Sequence, residues 1–351
     1  MLRRVCLVAA KIACGWLLTG AAFAEDARDL LKQGASLAAE EVTALEGQLE
    51  KDPLDMSARA QLLGYYGDVS RYRQPVAKSR SRALVLWLIK NEPKSGLLAA
   101  LSPHVREPPF DDPEWYVDGK RAYLAHLEEE PNNLALLGLA ADFLSHGDRA
   151  LTIELLQRAQ SLDESNALWA RRLGLRHYFN SLRGSEESRV ESAKKSVEQY
   201  VRMLELTEGN PYGGSLQYGS KAALVARDYE RARDFAEVML RQEPSGWDYA
   251  SNIHYGNITL GRVALSEGNV KQARSFLLRA GAALESPKLR LIAPDTILAK
   301  ELLERGERKV VLRYLDQCAT FWERGRDVLE EWKVLVRAGR TPVSSSFRFG
   351  R

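Results

Sequence analysis

Along LGRVALSEGNVKQARSFLLRAGA, residues 260–282, apolar positions recur every three or four residues in two short runs that meet at Gly268-Asn269. That spacing predicts two helices, each with one apolar face, joined by a tight turn. Neither run is long enough to bury its face alone, so the pair must stack on something else. The preceding stretch, LQYGSKAALVARDYERARDFAEVMLRQEP, repeats the scheme: Gly219-Ser220, Ala223, a turn at Arg227-Asp228, then Ala232, Ala236, Met239 and Pro244. LLGLAADFLSHGDRALTIELLQRAQSLDES repeats it again with Leu139-Ala140, Phe143, Gly147, Leu156 and Ala159. Small residues recur where two helices of one unit would cross closely, and large apolar ones where the next unit would dock. No run alternates with the two-residue period of a strand. The chain reads as all-α.

Weaker units flank these. AHLEEEPNN and GQLEKDP read as second helices ending at Pro131 and Pro53, and ALWARRLGLRHYF places Trp169, Leu173, Gly174 and Tyr178 close to the pattern. ARAQLLGYYG opens a unit whose second helix, SRALVLWLIKNEP, arrives late after an insertion at 70–82. PKSGLLAALSPHVREPPFDDPEW is interrupted by prolines and reads as a long connection that divides a shorter first part from a longer second one. The resulting division is a leader at 1–24, N-terminal helical repeats at 25–101, a Pro-rich connection at 102–116, further repeats at 117–285, capping helices at 286–340 and a flexible tail at 341–351.

The recurring pattern resembles the tetratricopeptide repeat (TPR), a helix-turn-helix unit of about 34 residues. LLGYYG with LVLWLIKNEP, LLQRAQSLDESNALWARRLG and LAKELLERGERKVVLRYLDQCATFWERG look like segments of uncharacterised exported bacterial proteins with TPR-like repeats. The resemblance implies a right-handed α-solenoid of imperfect repeats, and those relatives supply no activity to borrow. They carry a small-polar loop with Gly-Pro-Asn before the last helices. Here that region reads LRLIAPDTILAK and keeps only Pro294. Repeat spacing also lengthens near Trp247 to Ile253.

The start of the chain changes the electrostatic picture. Arg3, Arg4 and Lys11 precede a short apolar stretch, Ile12 to Phe23, that ends in Ala22-Phe23-Ala24. This is the layout of a secretory signal peptide cleaved after Ala24, which implies a periplasmic or secreted protein; retention as an anchor is the alternative. The leader carries three basic residues and no acidic one, so the formal charge of +3 belongs to it. The mature chain is balanced. It has no bulk attraction to nucleic acid or anionic membrane, and no span is expected in it. Cys6 and Cys14 leave with the leader, and Cys318 shares a helical face with Val311, Leu315 and Trp322, as a small buried hydrophobe would.

Candidate chemistry is sparse. The five histidines, at 104, 126, 146, 177 and 254, never fall three or four residues apart, and no HExxH or CxxC pair exists. NPYGGSLQYGSK lacks the Gly-Lys-Ser/Thr ending of a phosphate loop. No cofactor is expected, and no catalytic set. PPFDDPEWY (108–116) places Asp111, Asp112 and Glu114 around Phe110 and Trp115, suited to a cation or a basic partner, or to capping a helix that begins near Pro113. SRYRQPVAKSRSR (70–82) carries five basic residues and no acid. It suits an anionic ligand, or is a solvated insertion.

In TPR proteins the first helix of each unit lines an inner groove in which peptides lie. Projected onto this sequence, the groove-facing set is Arg59 and Tyr66, Arg171 and Tyr178, Gln217 and Lys221, and Tyr255 and Arg262. Cations interleaved with tyrosines suit a protein or peptide partner bearing carboxylates. The expected function is therefore a non-catalytic scaffold for protein–protein interaction through its concave groove. The alternatives are a structural component of an envelope assembly or homo-oligomer, and an enzyme with a site between the repeats and the 102–116 connection.

Overall fold

A computed structural model describes residues 26–101, 112–210, 215–241, 248–282 and 293–342. The leader, most of the 102–116 connection and all but the first residues of the tail lie outside them. Among the described residues every regular element is helical and no strand occurs. The chain divides into two compact units at Asp163/Glu164, not at the proline-rich connection.

In unit 1 the first helix covers 26–35 as far as it is described, and is α1. It is followed by α2 (Ala39–Lys51), α3 (Met56–Tyr66), α4 (Pro75–Asn91), α5 (Gly96–Ala100), α6 (Pro113–Glu129), α7 (Leu134–Leu144) and α8 (Arg149–Leu162). Most helices from α3 on start where an Asp, Asn or Ser accepts from the backbone of the first turn, the cheapest way to satisfy its orphan N–H groups. Asp55 accepts from Ala58 N at 2.9 Å, Asp148 from Leu151 N at 3.1 Å and Asn133 from Leu136 N at 3.2 Å.

Two readings left open by the sequence are decided here. The run 70–82 is not a solvated insertion: α4 begins at Pro75, and four of its five cations have partners within the chain. Arg71 donates to Ala35 O, Lys78 lies over Tyr72, Arg80 faces Glu46, and buried Arg82 pairs with Asp112 at 3.3 Å. The helix expected near Pro113 does begin there, capped by Asp112, which accepts from Trp115 N at 3.0 Å. Trp115 is buried, with its indole N–H donating to Arg82 O at 2.9 Å. Asp112, Trp115 and Tyr116, which stacks on Phe143, are thus engaged inside unit 1, while Glu114 is exposed. Asp111 and Phe110 lie outside the described residues.

Unit 2 contains α9 (Ala167–Ser181), α10 (Glu186–Leu206), α11 (Leu216–Ala226), α12 (Tyr229–Leu240), α13 (Tyr249–Ser266), α14 (Val270–Gly281), α15 (Ile297–Leu303), α16 (Arg308–Cys318) and α17 (Arg326–Arg337). Consecutive helices pack on each other, and α9 also touches α11, α11 touches α13, and α13 touches α15. The two halves of 260–282 are the end of α13 and the whole of α14. Gly268 turns the chain at φ +77°, and Asn269 caps α14 by accepting from Gln272 N. Ala273, Leu277 and Ala280 are fully buried, as are Ala223, Ala232 and Ala236 in the preceding pair. Val311, Leu315 and Cys318 share the buried face of α16, and burial pushes the Cys318 thiol pKa up, as an inert core residue requires.

Glycine notches set how these helices meet. A Cβ on Gly174 of α9, or on Gly219 of α11, would stand 2.9 Å from the ring of Tyr200 on α10. Only glycine at both positions lets one tyrosine wedge between the two helices. A Cβ on Gly261 of α13 would meet Leu298 of α15 at 2.2 Å, so α15 sits tight against α13. These two notches place the residues described next.

Candidate partner-binding site

Four of the eight projected residues gather in unit 2. Tyr178 lies four residues beyond the Gly174 notch, and its ring centroid is 5.4 Å from that of Tyr218, which precedes Gly219. Lys221, two residues past that glycine, lies under the ring of Tyr255 of α13, with Nζ 4.6 Å from the centroid. Arg262 stands on the same helix as Tyr255, two turns on. Three helices thereby contribute to one cluster.

Lys221 is not alone. Its Nζ is 2.8 Å from Oδ2 of Asp295, with the side chains 27% and 13% exposed. Asp295 is held at every polar atom. Its N–H donates to His254 Nε2 at 3.0 Å, its carbonyl accepts from Tyr314 Oη at 2.8 Å, and Oδ1 accepts from Ile297 N at 3.1 Å. His254 is fully buried on α13, and its Nδ1 donates to Ala280 O at 3.0 Å. Because Nε2 accepts and Nδ1 donates, the imidazole is neutral and its tautomer is set by two backbone groups. Burial holds its pKa below the ordinary histidine value. The sequence before α15 is thus locked to α13, α14 and α16, and delivers a carboxylate to Lys221.

The electrostatics follow. Burial alone would raise the Asp295 pKa, but the Lys221 ammonium and the two hydrogen bonds bring it down to about 2. Burial would lower the Lys221 pKa, and Asp295 more than reverses this, so it lies above the ordinary lysine value. Both groups are ionised across the physiological range. Arg262 is paired in the same way, with Nε and Nη2 donating to Glu301 Oε1 of α15 at 2.9 and 2.8 Å.

The tyrosine hydroxyls are different. Among the described residues those of Tyr178, Tyr218 and Tyr255 make no hydrogen bond, and none of the three is among the sealed, unsatisfied groups of the core. Burial raises the pKa of Tyr178, and that of Tyr255 to about 12, so both remain phenols that donate and accept. Phe179, 43% exposed and 6.1 Å from the Tyr218 ring, extends the aromatic surface outward. The arrangement offers three unspent hydroxyls around a charge-neutral ion pair. It can take a ligand with hydrogen-bonding groups and apolar surface.

The other projected residues are elsewhere in the fold. Gln217 is buried on α11, and Arg171 is half-buried on α9 with its Nε unpartnered. Arg59 and Tyr66 lie on α3 in unit 1. Sequence reasoning missed Asp295, Glu301, His254 and Tyr218. Asp295 carried one usable signal, an aspartate two residues ahead of a helix, but nothing that pointed to Lys221. Among the described residues no group of three His, Cys, Asp or Glu is placed to hold a metal ion, and no helix is long and apolar enough to cross a membrane. No protein-family model matches the chain, and no curated protein matches it in sequence.

Proposed function

We propose that this chain is an exported, non-catalytic scaffold of imperfect TPR-like repeats, forming a right-handed α-solenoid that holds a protein or peptide partner. The cluster on α9, α11 and α13 is the recognition face. The observation that carries this is the set of three tyrosine hydroxyls that make no hydrogen bond among the described residues, gathered about a neutralised ion pair beside exposed Phe179. The rings of Tyr178 and Tyr255 are buried, so a partner would meet their hydroxyls together with half-buried Tyr218 and exposed Phe179, and phenol hydroxyls hydrogen-bond to peptide groups. With Lys221 and Arg262 already matched by Asp295 and Glu301, a carboxylate on the partner would be met by the N–H groups those pairs leave over. Recognition rests on the hydroxyls first.

The test removes only those hydroxyls. A Tyr178→Phe, Tyr218→Phe, Tyr255→Phe triple variant deletes no hydrogen bond among the described residues, so its melting curve should match the parent. Each hydrogen bond to a partner contributes roughly 0.5–1.5 kcal/mol, so three together give a loss of capture of about tenfold or more. The readout is quantitative pull-down from envelope extracts with residues 25–351. Equal capture by parent and variant would remove this face from consideration.

A further inference from the structure

Unit 1 holds a second cation–tyrosine arrangement built on other terms. Arg59 of α3 is 3% exposed, with its guanidinium carbon over the ring of Trp87 of α4, 3.4 Å from the centroid. Nη2 donates to Pro53 O at 2.6 Å, and Nε is sealed in the core without a partner. Nη1 makes no hydrogen bond among the described residues, and no carboxylate there lies within ion-pair distance. Asp55, the acid whose field reaches Arg59, is occupied by Ala58 N and Gln48 Nε2. Burial depresses the Arg59 pKa to about 10, still far above neutrality. Arg59 is therefore a buried positive charge with no ion-pair partner among the described residues.

It lines a cavity of about 330 Å³, within the roughly 300–1,000 Å³ of small-ligand sites. Leu49, Leu62 and Leu84 supply apolar wall, and Tyr66, Glu46 and Arg80 close the polar side. Those three satisfy one another: Tyr66 Oη donates to Glu46 Oε1 at 2.9 Å, and Arg80 Nε stands 3.6 Å from the same oxygen. Glu50 sits at the exposed rim, where solvent screens it. Of the four charges in the lining only Arg59 is buried, beside leucines; Glu46, Glu50 and Arg80 all stand nearer solvent. A monoanion with a compact apolar body matches Arg59; a dianion would leave one charge unmatched in a poorly solvated site.

We propose that this cavity binds the carboxylate of a ligand with a compact apolar body, Arg59 Nη1 donating to the carboxylate and the leucines covering the body. That chemistry is shared by a free organic acid and by the C-terminal residue of a peptide. The site lies in unit 1 and does not depend on the recognition face proposed for unit 2.

Calorimetric titration of residues 25–351 tests it with four probes: phenylacetate, phenylacetamide, a tripeptide ending in phenylalanine, and the same tripeptide amidated. Saturable binding of phenylacetate or the free-ended tripeptide is expected, with the matched amide at least tenfold weaker. If the tripeptide binds more tightly, the ligand is a chain end; if phenylacetate does, it is a free acid. Arg59→Met should abolish binding. Arg59→Lys, which keeps the charge but loses the flat fork, should weaken it at least tenfold, and serves if the methionine variant fails to fold. Amides that bind as well as acids, or no saturable binding of either acid at millimolar concentration, would overturn the proposal, as would undiminished binding by the lysine variant.

Discussion

Arg59 on α3 and Lys221 on α11 begin as equivalents: each is a cation on a helix of an expected pair, with a tyrosine beside it. The fold treats them in opposite ways. Lys221 receives a carboxylate from Asp295, itself locked by His254 and Tyr314, and the pair lies under Tyr255. Arg59 receives a tryptophan face and one carbonyl, and no ion-pairing acid among the described residues. What separates them is the position of α15, set by Leu298 in the Gly261 notch, which brings a distant acid onto α11. A cation's local sequence therefore does not tell whether it is a binding group or half of an internal pair.

Among single substitutions the largest effect should come from opening the closed pair. Asp295→Ala leaves Lys221 without its counter-charge. Breaking a buried pair from one side costs roughly 3–5 kcal/mol, and the partial exposure of Lys221 puts the expected loss near about 3 kcal/mol. Adding Lys221→Met to that variant removes the stranded charge and should recover much of it. Chemical denaturation of the single and double variants checks both. An Asp295→Ala loss below about 1 kcal/mol would mean that solvent already screens the pair.

Acid should find unit 2 next. His177 on α9 and His254 on α13 are buried, and burial lowers both pKa values, that of His177 to about 4. Above the unfolded value of about 6.5 both are neutral folded or unfolded, so their contribution is fully present there. As pH falls below it, the unfolded chain takes protons that the folded chain refuses. Stability then declines by about 1.4 kcal/mol per pH unit for each histidine, in the case of His177 until about pH 4. Asp295 acts lower: its depressed pKa contributes stability above about pH 4, lost as pH falls through about 2. Denaturation at pH 8, 6 and 4 should show the decline, and His177→Gln should flatten it by about one proton. Hydrogen exchange at pH 5 should show unit 2 opening first. Exchange that begins in unit 1 would sever acid sensitivity from these residues.

A smaller loss is expected at the helix crossing first read from 260–282. Ala273 is fully buried against neighbouring helices, so Ala273→Leu overpacks it at a cost of about 1–3 kcal/mol. A melt unchanged from the parent would show that α14 has room it is not seen to have.

The helices were legible because their signals are local. Apolar period, Gly268-Asn269, Arg227-Asp228 and the capping Asp and Asn residues are each readable within one turn. The run 70–82 misled because its charges suggested solvent, while Pro75 marks a first helical position and Arg82 finds Asp112 only after the chain returns. The site was half legible. Tyr178, Lys221, Tyr255 and Arg262 followed from repeat projection, which carries a residue from one unit to the same place in the next. Asp295 and Glu301 come from outside the projected first helices, so no periodicity reaches them. His254 looked like an isolated histidine, because its partners, Ala280 O and Asp295 N, are backbone atoms that leave no trace in side-chain identity.

The smallest stability effect should be at the open cation, and it sharpens the comparison most. Arg59→Met removes the stacking on Trp87, which contributes about 0.5–2 kcal/mol, and the bond to Pro53 O, about 1 kcal/mol. It also removes a buried charge whose Nε has no partner, and an unsatisfied buried polar group costs roughly 1–3 kcal/mol. These opposing quantities are of similar size, so the net change should stay within about 1 kcal/mol. Lys221→Met, by contrast, strands Asp295 and should cost roughly 3 kcal/mol, as its mirror Asp295→Ala does. Measured side by side by denaturant titration, the two methionine variants should differ by at least about 2 kcal/mol. If Arg59→Met proves as damaging as Lys221→Met, Arg59 is held by the core as tightly as the closed pair, and the contrast between the two cations disappears.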